Sequence, residues 1–236
     1  METLIDLHTH TIVSGHAYST VLENVAQASK IGLKYIGLSE HAPQMPGGPN
    51  EFYFHNSRCI PDMIDGVRVL KGIEANILDY DGNTDVDEGI TNSVDYIIAS
   101  LHPPCIKPGT KQENTNTIIE VMKKDKVKII GHLDDSRYPV DYEEVAKAAK
   151  EHGVLLEINN SSLKKTSFRV GARENVAKLL EACKKYGVYV IYGSDAHISF
   201  DVGNFVNSKE VVELNNFPKE LVINYHEDKI IEVFEI

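Results

Sequence analysis

The chain has 236 residues, 42% hydrophobic and 25% charged, values that suit one soluble α/β domain able to close its core without disulfide staples. Its 24 Lys and Arg stand against 35 Asp and Glu, a net charge of −11, so nucleic acid is not an expected partner. Cys59, Cys105 and Cys183 form no CxxC pair, no apolar run reaches the ~20 residues of a membrane helix, and METLIDLHTH lacks a signal-peptide layout; the expectation is a cytoplasmic protein with no membrane partner.

In chain order, strand patterns fall at Leu4–Leu7, Tyr35–Ser39, Val67–Ile73, Tyr96–Ser100, Val127–Ile130, Val154–Ile158 and Val188–Tyr192. They are continuously apolar rather than alternating, as parallel strands buried on both faces require. Helical stripes lie between them at Thr20–Lys30, Asn116–Lys124, Tyr142–Glu151 and Glu174–Tyr186, and Gly32, Gly153 and Gly187 follow three of these where a left-handed cap is expected. The Pro/Gly-rich segment Ala42–Pro61 reads as a long loop. About seven strand–helix units without a GxGxxG turn predict a distorted (βα)7 TIM-like barrel spanning residues 1–236 as one domain.

The polar residues at the strand ends carry the chemistry. His8 and His10 follow the first strand, two residues apart and therefore pointing to one side. His41 follows the second strand, Glu74 the third, His102 the fourth and His132 the fifth; Asp195 and His197 follow the seventh, and His16 lies in the first loop. In a barrel these ends converge on one face. A lone histidine after a strand is ordinarily a hydrogen-bonded loop residue, but seven of the ten histidines recur at equivalent places. Nine ligands exceed what one zinc takes and suffice for two or three metals. His55, His152 and His226 lack this context; His152 sits at a helix C-terminus, where a cation suits the dipole.

The stretches Asp6–His10, His16–Ser19, His41, Gly72–Asn76, His102, His132, Glu157–Ser162 and Gly193–His197 resemble the PHP (polymerase and histidinol phosphatase) family over nearly the whole chain, most closely its YcdX-type phosphatases. One departure is Leu133-Asp134-Asp135 after His132, where the family often has Pro-Gly. The resemblance implies a trinuclear zinc site, with manganese or iron as alternatives. His8, His10, Glu74 and Asp195 would bind one ion; Glu74 would bridge to a second held by His102 and His132; His16, His41 and His197 would bind the third. Glu74, Asp195 and His197 are the residues it places closest to catalysis.

The implied reaction is hydrolysis of small phosphomonoesters by a metal-activated hydroxide, with Arg58, Lys164, Lys165 and Arg169 as candidate phosphate contacts. Two other readings remain open. An amidohydrolase also opens its barrel with HxH but commonly bridges its metals with a carboxylated lysine, where Glu74 stands here. A non-catalytic interaction module would be marked by lost ligands. A homo-oligomer is compatible with the sequence and not required by it.

Overall fold

A computed structural model describes residues 2–236. Seven parallel strands run in sequential order around the barrel: β1 (Ile5–Asp6), β2 (Tyr35–Leu38), β4 (Val67–Asn76), β5 (Tyr96–Ser100), β6 (Val127–Ile130), β7 (Leu155–Asn159) and β8 (Val190–Gly193). The expected distorted barrel is what the chain forms. The short β3 (Met63–Ile64) adds an antiparallel partner to β4 through an Asp65-Gly66 turn with both residues at positive φ, the geometry of a two-residue hairpin. Sequence periodicity did not anticipate it.

Inside the barrel each of the seven parallel strands contributes. Ile5 and Leu7 meet Tyr35, Leu70, Tyr96, Ile98, Ile129, Leu155 and Ile191 in one buried cluster. Tyr96 crosses the floor, its hydroxyl donating to the Leu7 carbonyl at 2.6 Å, and a Cβ at either Gly37 or Gly72 would collide with its ring or hydroxyl. Helix α8 (Glu227–Phe234) closes this end with Ile230 and Phe234.

The outer layer is made by amphipathic helices whose caps are written in the sequence. Thr20 and Glu23 form a capping box for α1 (Val21–Lys30), and Thr110 and Glu113 do so for α4 (Lys111–Met122). Asp141 caps α5 (Tyr142–His152), and Gly187 ends α6 (Ala172–Tyr186) in the left-handed conformation. Helix α4 begins five residues earlier than its apolar stripe predicts, because the capping box starts it through a polar first turn. The segment Ala42–Pro61 contains a short helix, α2 (Glu51–His55), so it is not wholly a loop. Helices α3 (Glu88–Ser93) and α7 (Val206–Leu214) complete the set. No helix among the described residues is long and apolar enough to cross a membrane.

The first and last strands do not form a regular ladder. Asn224 stitches their lower ends: its amide nitrogen donates to Ile5 O at 2.9 Å and Tyr192 O at 3.1 Å, and its Oδ1 accepts from Tyr192 N at 2.7 Å. Above it, Asp6 Oδ1 accepts from Ser194 N at 3.2 Å, and His10 N donates to Ala196 O at 2.8 Å. This seam brings the first and last strand ends together at the barrel mouth.

Candidate metal centre

All nine side chains singled out in the sequence meet at the C-terminal ends of the strands. Glu74, near the end of β4 and fully buried, lies at the centre. Its Oε1 is 2.9 Å from His132 Nε2, 3.1 Å from His102 Nε2 and 3.4 Å from His8 Nε2. Its Oε2 is 2.7 Å from His41 Nδ1 and 3.5 Å from His10 Nε2. Asp195 Oδ1 approaches His10 Nε2 at 3.4 Å, His8 Nε2 at 3.7 Å and His197 Nδ1 at 3.5 Å. His16 closes the outer side, its Nε2 3.3 Å from His41 Nε2. Four overlapping triads with metal-binding spacing result: His8/Glu74/His132, His8/His10/Asp195, His41/Glu74/His102 and His10/His41/His197. His55 and His226 bond elsewhere, to Ser93 and to the Lys219 carbonyl, and His152 is exposed in the last turn of α5.

Two of these residues hold unusual backbone conformations. His132 and Asp195 have φ of 27° and 53°, rare for residues with a Cβ. Each lies two residues past the end of its strand, β6 ending at Ile130 and β8 at Gly193, at the barrel mouth. Backbone outliers of this kind cluster where function over-determines the geometry.

A second layer aims the imidazoles, and sequence reading assigned it no roles. His8 Nδ1 lies 2.6 Å from Glu157 Oε1, while Glu157 Oε2 accepts from His132 N at 2.8 Å and from Asn159 Nδ2 at 3.1 Å. Glu40 accepts from Thr11 N, Thr11 Oγ1 and Ser14 Oγ, fixing the loop between His10 and His16. His102 Nδ1 donates to Asn76 Oδ1 at 2.7 Å, and the Asn76 amide is oriented by its own donation to Asp85 Oδ2 at 2.6 Å. These contacts put the Nδ1 proton of His8 and His102 on an outer acceptor and leave Nε2 free as a ligand atom. The signal for Glu157 was available: an acid in the middle of an apolar strand needs a buried partner. We expect Asn76→Ala to lower metal affinity about 10–100-fold, read by competition with a chelator, because it frees the His102 tautomer. Unchanged affinity would remove Asn76 from the centre.

The electrostatics favour cation binding. Burial works against the Glu74 carboxylate, yet His102, His8 and His41 hold its pKa well below the ordinary range; Asp195 is likewise held down, chiefly by His8 and His10. Burial lowers His10 well below the usual imidazole value and His102 to about 4, so both are neutral at pH 7. His8 is the exception: burial opposes its charge, but Glu157, Glu74 and Asp195 raise its pKa well above normal, a proton that a cation at Nε2 would displace. His8 Nε2, His10 Nε2, His41 Nδ1 and Glu74 Oε2 are all buried without a hydrogen-bond partner. Orphaned buried polar atoms are costly, and these four converge on shared space. Imidazole and carboxylate donors suit zinc, manganese or iron. The groups could therefore hold metal ions, and the residues present fit them.

The centre opens into a cavity of about 790 Å³. Arg169 lies on its wall, only 9% exposed, with Nη1 2.7 Å from Ser162 Oγ and 3.4 Å from Asp195 Oδ2. Asp134, buried beside it, has its carboxyl pushed up to about 6 by burial. Lys164 also lines the cavity, whereas Arg58 and Lys165 do not and are exposed on the surface.

Fold and site together define a β/α-barrel protein with a histidine–carboxylate centre at the barrel mouth. The chain belongs to the PHP domain family, whose model matches residues 6–161. It is 50% identical over 232 residues to a probable phosphatase of Clostridium acetobutylicum, covering 98% of this chain and 94% of that protein. A probable phosphatase of Thermoanaerobacter pseudethanolicus is 46% identical over 233 residues, with the same coverage of 98% and 94%. Among solved structures, the histidinol phosphate phosphatase of Lactococcus lactis, complexed with zinc, L-histidinol and phosphate, shares the fold with a TM-score of 0.62. It is 18% identical, and the match covers 92% of this chain and 95% of that one.

Proposed function

We propose that the protein is a metal-dependent phosphatase of small phosphomonoesters, residues 1–236 acting as one domain. His8, His10, His16, His41, Glu74, His102, His132, Asp195 and His197 hold the metal ions, three per chain and zinc first among them. The observation that carries this reading is the convergence of nine ligand side chains, four of whose buried atoms have no hydrogen-bond partner. Close relatives named as probable phosphatases support the reaction, and the zinc and phosphate of the Lactococcus complex support the cofactor and substrate class. The three free cysteines support a reducing, cytoplasmic setting.

When bound, such cations supply Lewis acidity, lowering the pKa of a water and neutralising phosphoryl oxygens. The chain's own groups do the rest. Glu74 and Asp195 place two negative charges among the imidazoles, and Glu157 and Asn76 hold His8 and His102 in register. Arg169 presents its guanidinium to phosphoryl oxygens from the cavity wall, a fixed donor where charge accumulates. His197 Nδ1 lies 3.0 Å from its Asp195 carbonyl, which turns Nε2 toward the open side. The reaction breaks the ester P–O bond and forms a new one to water oxygen; the alcohol leaves with the second proton.

The test is a panel of phosphomonoesters, phosphodiesters, amides and lactones, including an activated aryl phosphate, run with metal-replete and metal-depleted protein. Metal-dependent release of phosphate from the monoesters is expected. Selective turnover of amides or lactones would instead identify an amidohydrolase, and no turnover with full metal loading a binding module.

A further inference from the structure

The cavity wall beyond the histidines is chemically one-sided. Among the described residues lining it, the only carboxylates are Glu74 and Asp195, both within the ligand cluster, while Arg137, Lys164 and Arg169 all line it. The acids that balance the outer cations lie behind them. Asp135, 8% exposed, accepts from Arg137 Nε at 2.9 and 3.0 Å, and Asp201 accepts from Lys164 Nζ at 2.8 Å. Each pairing leaves further N–H groups of the cation unspent, since a guanidinium has five and an ammonium three.

Phe168 adds a second observation. Its side chain is 68% exposed, and two guanidinium carbons lie near its ring centroid, Arg137 at 5.5 Å and Arg169 at 5.4 Å. The aromatic surface that could have received an ammonium group is already shared by two cations of the chain itself. Neither acid nor ring is left for a positively charged leaving group.

Resting on the phosphatase reading, we propose that the preferred substrates are small phosphomonoesters whose alcohol carries a second anionic group, a carboxylate or a phosphate, received by Arg137 and Lys164. A cationic alcohol is disfavoured. The L-histidinol bound in the Lactococcus structure is such an alcohol, so this chain's preference departs from what that ligand suggests. A cavity of about 790 Å³ holds a compact doubly charged molecule with room for water.

The test uses metal-replete protein and four substrates on one three-carbon chain: 1,3-propanediol monophosphate, 3-(phosphonooxy)propanoate, 1,3-propanediol bisphosphate and 3-aminopropyl phosphate. We expect kcat/KM for the two anionic-tailed compounds to exceed the neutral one by about tenfold, one charge-assisted contact, with the aminopropyl compound lowest. The carboxylate and bisphosphate arms separate the two sources of the second anion. Lys164→Met and Arg137→Met should each bring that ratio toward one, and Lys164→Arg should keep it, with thermal melting confirming that the variants fold. Equal turnover of all four, or preference for the aminopropyl compound, overturns the proposal and leaves the phosphatase reading intact. No hydrolysis of the series or of an activated aryl phosphate overturns both.

Discussion

Replacing Glu74 by glutamine is expected to lower kcat/KM by about 10²–10³-fold or more, as loss of several kcal/mol of metal-derived stabilisation implies. Metal content should fall with it. Glu74 lies within 3.5 Å of five imidazoles, approached at both of its oxygens. Glutamine keeps the shape but removes the charge and turns one acceptor into a donor facing ligand nitrogens. Elemental analysis alongside phosphate release decides the matter: retained metal and turnover would exclude a central role. His152→Ala, exposed at the end of α5, is the matched control and should leave both readings unchanged.

Gly193→Ala is the second substitution with a large expected effect, although it alters no candidate ligand. A Cβ on Gly193 would overlap Glu157 Oε1 and lie 3.0 Å from His8 Cβ. Glu157 is the buried acid that fixes His8 Nδ1 and the backbone of His132 at once. The methyl group therefore displaces the support of two ligands belonging to different strands. Overpacking should cost about 1–3 kcal/mol of stability. Metal affinity should fall by a further 10–100-fold through the loosened second layer. Thermal melting of metal-free and metal-loaded protein separates the two losses, since only the second shrinks the stabilisation added by metal. A variant that melts lower yet gains as much from metal as the parent would show that Glu157 is dispensable.

The candidate ligands were legible because most are histidines that recur shortly after apolar strand runs, with Glu74 and Asp195 at the same ends and His16 in the loop after the first. Strands β5 and β6 were legible to the residue because apolar runs and turn residues bound them sharply. Strand β4 runs through Glu74 to Asn76, three residues past its apolar pattern, because there the inward face carries the chemistry. Helix α4 hid its first turn behind a polar capping box, and the hairpin at Asp65-Gly66 was too short to show a period. The supporting layer was least visible. The apolar run around Glu157 marks it as a buried acid, but His8 lies 149 positions away and nothing local names it as the partner. The YcdX-like grouping of ligands into three sets also simplifies what the side chains do: His41 faces Glu74 through Nδ1 and His16 through Nε2.

The seam between β1 and β8 has a consequence for the order in which the molecule is assembled. Asp6 and Ser194, joined across it, are 188 positions apart, and Asn224 must arrive before the lower ends of these strands are tied. Contacts of such long range carry the greatest loop-closure entropy and form late. During synthesis the strand-end histidines from His8 to His132 emerge well before Asp195 and His197, so the growing chain holds an incomplete ligand set. The candidate ligand set is complete only once the segment carrying Asp195 and His197 has joined β1 across the seam.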